Sequence, residues 1–114
     1  MKNRILILGM ALTLLYSCSS TKKLYSFPSD YESAYYKHLK GNSDSYARVL
    51  QEMFRDIRNQ ENAKIPPGLY AEYGFILLAQ GHKNRAQIYF DKEIQEYPEN
   101  SYFIHLKLQQ HEAR

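Results

Sequence analysis

The residues that prescribe a chemistry in this chain are few, and the clearest is Cys18. It is the only cysteine, so within one chain it offers no disulfide and no cysteine-based metal site. It follows a basic start, Met-Lys-Asn-Arg, an apolar run from Ile5 to Tyr16, and the small residue Ser17. That order is the pattern of a secretory leader cut beside a small residue. The run is too short for the roughly 20 apolar residues that a transmembrane helix needs. The remaining chemistry-bearing residues do not converge. His38, His82, His105 and His111 fall on separate segments, without a His-x-x-x-His pair or a carboxylate at zinc spacing. The chain has neither a Gly-x-Ser-x-Gly elbow nor a glycine-rich phosphate loop. Asp and Glu are plentiful, but no pair stands apart from a solvated helix face. The expectation is a protein that is not an enzyme and takes no metal, cofactor or small-molecule substrate.

Leu15-Tyr16-Ser17-Cys18 resembles the lipobox of bacterial lipoproteins, with Tyr16 where a smaller residue is usual. The resemblance implies cleavage before Cys18, diacylglycerol on its thiol, an added palmitate-type acyl chain and attachment to a membrane. Ser19 replaces the Asp that retains such proteins in an inner membrane. Lys22 and Lys23 replace the acidic run that resembles a surface-export signal. The expected location is therefore the outer membrane, lipid-anchored and facing the periplasm. The division expected is a signal peptide over 1–17, a lipidated cysteine and tether over 18–29, and a helical domain over 30–114. Losing Lys2 and Arg4 leaves 13 Lys and Arg against 12 Asp and Glu, so the apparent basicity gives no argument for nucleic acid. Tyrosine is abundant, at 11 residues, and tryptophan absent. Rings with a polar tip suit half-buried helix seams or a partner surface.

Five helices must position whatever the domain presents. Ser29-Asp30-Tyr31-Glu32 fits a capping box for a first helix that carries Tyr31, Tyr35, Tyr36 and Leu39 and stops near Gly41. Asn42, Ser43 and Asp44 offer caps for a second, reaching about Asn59 with Tyr46, Val49, Leu50, Met53, Phe54 and Ile57 at three- and four-residue spacing. The third, from about Gly68 to Gln80, is apolar on most sides and should be central. The fourth, from about Asn84 to Tyr97, should turn Ala86, Ile88, Tyr89, Phe90 and Ile94 inward. A fifth starts near Asn100. With no sustained alternation of a strand, the fold class expected is all-α, built of antiparallel helical hairpins.

The third and fourth helices resemble one tetratricopeptide repeat in a 34-residue frame beginning at Pro67. Tyr70, Tyr73-Gly74, Leu77, Gly81, Ala86, Phe90 and Pro98 fall at the repeat's positions; Glu93 stands where a small residue is usual. In that frame Gly74 and Ala86 mark a close helix contact. Residues 100–111 look like a capping helix whose wet face carries Lys107, Gln109, Gln110, His111 and Glu112. Ala71, Phe75, Leu78 and Ala79 point to the concave side, where such arrays receive a peptide. For Phe75 and Leu78 the competing role is core packing.

The wider chain also resembles a family of small bacterial lipoproteins classed as a domain of unknown function. The resemblance rests on Tyr35-Tyr36-Lys37, on Ile65-Pro66-Pro67-Gly68-Leu69-Tyr70-Ala71-Glu72-Tyr73-Gly74, and on Gly81, Ala86, Tyr89-Phe90, Glu93 and Tyr97-Pro98-Glu99-Asn100-Ser101. Ser29-Asp30 stands where members commonly show Trp-Gly. The resemblance implies an accessory lipoprotein of the outer membrane that accompanies a lipoprotein of the curli-secretion-channel type, and it brings no catalytic residue. The expected function is a protein–protein interaction adaptor. The alternative is an obligate structural subunit of one envelope complex.

Overall fold

Two glycines fix where the helical hairpins turn. Gly41 and Gly81 adopt φ of 95° and 85°, a left-handed conformation that L side chains rarely adopt. At each, the next residue's N–H reaches back five residues, Asn42 to the Lys37 carbonyl and His82 to the Leu77 carbonyl. The glycine N–H itself bonds the carbonyl three residues before, on His38 and Leu78. This is the Schellman closure, and it satisfies carbonyls that a helix end otherwise leaves bare.

The computed structural model describes residues 25–114 together with Asn3 and Arg4. The apolar run of the leader, Cys18 and residues 19–24 lie outside the described residues. Residues 25–114 form five α-helices and no strand: α1 Tyr31–Leu39, α2 Asp44–Ile57, α3 Leu69–Ala79, α4 Lys83–Glu96 and α5 Ser101–Glu112. A 3-10 turn, Pro98–Asn100, joins α4 to α5. The fold is all-α, as the apolar spacing predicts. α1 packs against α2, α3 packs extensively against α4, and α5 packs on α4.

The N-termini differ from the sequence expectation. The capping box expected at Ser29 and Glu32 does not form, because the helix starts behind Asp30, and neither Asp30 nor Ser43 makes a side-chain cap bond. Asp30 is instead paired with Arg48 at 3.1 Å, and the Ser43 hydroxyl is spent on His38 Nδ1 at 2.8 Å. Asn42 alone caps, its Oδ1 accepting from the Asp44 N–H at 3.3 Å.

The core is centred on α3, as its apolar character on most sides predicts. Leu69, Ala71, Tyr73, Gly74, Ile76 and Leu77 are all buried. From α2 they meet Tyr46, Val49, Leu50, Met53 and Phe54, and from α4 Ala86 and Phe90. Tyrosines fill the seam. Tyr70, Tyr73 and Tyr89 gather around Phe54 with ring centroids 4.7–5.7 Å away. Ile88 departs from the expectation of an inward residue, being 54% exposed. It follows Ala86 by two positions, which at 3.6 residues per turn puts it on the opposite face.

A buried acid ties the second half together. Glu93 of α4 is fully buried; its Oε1 accepts from the Gly68 N–H at 2.6 Å and from the Asn100 amide at 2.8 Å. Gly68, with φ of 94°, is the N-cap of α3, so the carboxyl group sits where the helix leaves N–H groups unpaired and its dipole favours negative charge. Tyr97 adds a second tie, its hydroxyl donating to the Ile65 carbonyl at 2.5 Å.

α3 and α4 approach closely at Gly74. A Cβ there would lie 2.6 Å from Cε1 and 2.8 Å from Cδ1 of Phe90. The partner of Gly74 is thus the Phe90 ring. That ring is only 2% exposed and leans on Phe75 at 4.8 Å, so it has nowhere to retreat. Gly74→Ala therefore sets a helix-propensity gain of about 1 kcal/mol against an overpacking cost of about 1–3 kcal/mol. The expected result in urea unfolding is a net loss of stability. Equal or higher stability would show that α3 and α4 are not in this close contact.

Candidate interaction groove

Tyr46, near the start of α2, is fully buried, and α1 is assembled on it. The rings of Tyr31, Tyr35 and His38 lie 5.7, 5.3 and 4.8 Å from its centroid. Its hydroxyl donates to Glu72 of α3 and lies 3.2 Å from the Tyr31 hydroxyl. One side chain of α2 thus sets both α1 and the adjoining face of α3. Burial pushes the Tyr46 hydroxyl far above the ordinary tyrosine range, and its bond to Glu72 acts in the same direction. Burial likewise raises Tyr31, Tyr70 and Tyr89.

Between the helices so placed lies an open groove of about 340 Å3. Tyr35, His38 and Leu39 of α1 form one wall. Glu72, Phe75, Ile76 and Ala79 form the floor, spaced i, i+3, i+4 and i+7 along α3. Lys107 of α5 closes the far side. Its ammonium lies 5.6 Å from the Phe75 ring centroid and 5.3 Å from that of Phe103. Leu39 at 65% and Ala79 are exposed, while Phe75 is half-buried.

The four residues expected on the concave side separate. Phe75 and Ala79 line the groove. Leu78 is half-buried and packs against the core away from it, and Ala71 is a core residue at 3% exposure. Phe75 has both roles, since its ring also rests on Phe90. Sequence reasoning missed Glu72, Ile76, Lys107 and the α1 wall. A helix that is apolar on most sides gives little periodic signal for which stripe stays open, and the α1 wall depends on a contact between helices. Cys18, the expected lipidation site, lies outside the described residues.

α5 carries the residues expected for a wet face, but Tyr102, Phe103 and Leu106 are also exposed there, at 77%, 51% and 40%. Among the described residues no three His, Cys, Asp or Glu side chains gather to hold a metal ion. None of the helices formed by those residues is long and apolar enough to cross a membrane.

Residues 24–106 match the family described as a domain of unknown function (DUF4810). No curated protein and no solved structure matches the chain.

The tyrosine shifts fix the sign of an alkaline response. A hydroxyl whose folded pKa is raised stays protonated in the native state while the unfolded chain ionises near pH 10. Stability is therefore fully present below that value and falls as pH rises towards the folded pKa. Tyr46→Phe removes the largest such shift but leaves Glu72 without its donor, at about 1–3 kcal/mol near neutral pH. Urea unfolding at about pH 8 and about pH 11 should show the parent losing stability and Tyr46→Phe losing less. A parent whose stability is flat or rising over that interval would contradict the buried hydroxyl.

Proposed function

The chain belongs to the DUF4810 family, and on that premise we propose that it is a lipid-anchored adaptor that holds a protein partner at the periplasmic face of the bacterial outer membrane. In this reading Cys18 is the first mature residue and carries the lipid. Three acyl chains, at about 0.8 kcal/mol per buried methylene, hold it there durably. The α3–α4 hairpin acts as a single tetratricopeptide-like repeat and α1 as the wall of a degenerate one. The groove between α1, α3 and α5 receives a peptide or helix of another envelope lipoprotein, and the work done there is binding rather than catalysis.

The observation that carries the reading is the groove itself. It is concave, it is bounded by three helices, and it combines the apolar Leu39, Phe75 and Ala79 with the polar His38, Glu72 and Lys107. Convergence of a few polar groups on an apolar cleft is the usual make-up of a binding site. The Schellman turn at Gly81 and the contact of Gly74 with Phe90 support the repeat-like hairpin. A second reading, an obligate subunit of one complex, draws on the exposed Tyr102, Phe103 and Leu106 of α5, an apolar face that a free adaptor has no reason to keep.

A photo-crosslinking residue in place of Ala79, in the full chain in its native membrane, tests the proposal. Adducts of discrete mass are expected there and not from the same residue at Gln87, exposed on α4. Cys18→Ser should leave uncleaved precursor, remove the lipid mass and abolish the adducts. Ala79 adducts no different from those at Gln87 would refute the adaptor site. A Cys18→Ser chain that still matures and fractionates with the outer membrane would refute the anchor.

A further inference from the structure

The groove has a charge asymmetry that specifies what it takes. Glu72 is the one acid among the residues that wall it, and Glu72 is already engaged by the buried Tyr46 hydroxyl. The cations are not engaged in this way. Among the described residues, the ion pairs involve Arg48 and Arg55 and leave Lys107 and Arg114 without a carboxylate within 4.0 Å. The lysine ammonium lies over the rings of Phe75 and Phe103, which favour that position at the rim, and the residue is exposed. Beyond it the surface continues into a shallow hollow of about 230 Å3 lined by Phe75, Lys107, Gln110, His111 and Arg114. No acidic side chain lines that hollow. His38, on the opposite wall, is bonded to Ser43 and adds no negative charge.

We propose that this end of the groove selects a polypeptide segment in which acidic residues flank an apolar one, the apolar side chain lying on Phe75 and the carboxylates pairing with Lys107 and Arg114. The inference rests on the adaptor reading and adds the chemistry of the partner to it. A carboxylate meeting a lysine already stacked on two rings gains a charge-assisted bond without fixing a mobile side chain first. An anionic lipid surface offers the same charge, but a planar surface does not enter a concave groove walled by α1 and α5. A second copy of the chain would bring the same cations to the same rim, and like charges in contact oppose association.

The test uses the full lipidated chain in neutral-detergent micelles, with empty micelles as the blank. The probes are fluorescent octapeptides: Glu alternating with Leu, Lys alternating with Leu, and Glu alternating with Ser. The Glu–Leu peptide should bind about tenfold more tightly than either other peptide, with a preference that weakens as salt is added. Lys107→Glu should abolish the preference while lowering the melting temperature only slightly, because Lys107 is exposed and loses only its two contacts with the rings of Phe75 and Phe103. Lys107→Arg should retain it. Equal binding of the three peptides, no binding of the Glu–Leu peptide, or a preference untouched by Lys107→Glu would overturn the proposal. So would tighter capture by phosphatidylglycerol vesicles, or a dimer that dissociates on Lys107→Glu. Discrete Ala79 adducts alongside any of these results would leave the adaptor standing and remove only its selectivity.

Discussion

The structure hangs on Tyr46. Its ring is fully buried at the start of α2, and three side chains of the nine-residue α1 stack around it. A helix so short is not stable in water by itself, and α1 buries only Ala34 completely. Its position is therefore dictated by the tyrosine on which it rests. The same hydroxyl holds Glu72 on α3, so the wall and floor of the groove share one reference point. The polar tip makes the arrangement specific. A phenylalanine would fill the same space but leave Glu72 half-buried without its donor, and an unpaired buried group costs more than the bond itself contributes.

One turn before Glu72, at the Gly68 N-cap of α3, Glu93 plays the matching part. It joins the start of α3, the body of α4 and the turn before α5 through two hydrogen bonds on one oxygen. Its second oxygen is buried without a partner, which is costly in isolation. The helix N-terminus at Gly68 and the Asn100 amide offset that cost locally. Fixing this junction fixes the direction in which α5 leaves α4, and with it the place of Lys107 on the groove's far side. Both buried polar contacts thus act at the start of α3, one towards α1 and α2 and one towards α4 and the turn before α5, while the apolar core of α2, α3 and α4 supplies most of the stability.

The helices were legible because their signals are local. Three- and four-residue spacing, the turn glycines at 41 and 81 and the prolines at 66, 67 and 98 mark the elements without reference to distant residues. The caps were less legible. Asp30 and Ser43 are good cap residues by type, yet Arg48 and His38 compete for them from other turns of the chain. Glu93 stood out only as a misfit, because its role is set by Gly68 and Asn100, which the fold brings to it. The groove was half legible. Phe75 and Ala79 were in view, whereas Ala71 and Leu78 belong to the packed side. Which stripe of a mostly apolar helix stays open depends on how α1 and α5 dock, and that information lies in Tyr46 and in the turn after α4.

The central claim is that the groove is built into the folded chain, with Tyr46 as its reference point. The direct measurement is the distance distribution between nitroxides placed by Leu39→Cys and Ala79→Cys, two exposed positions on the wall and the floor of the groove, in a Cys18→Ser background. The account predicts one narrow distribution in the parent. Tyr46→Leu should broaden it while circular dichroism shows the helices of α2, α3 and α4 retained. A broad distribution in the parent, or one that Tyr46→Leu leaves unchanged, would contradict the account.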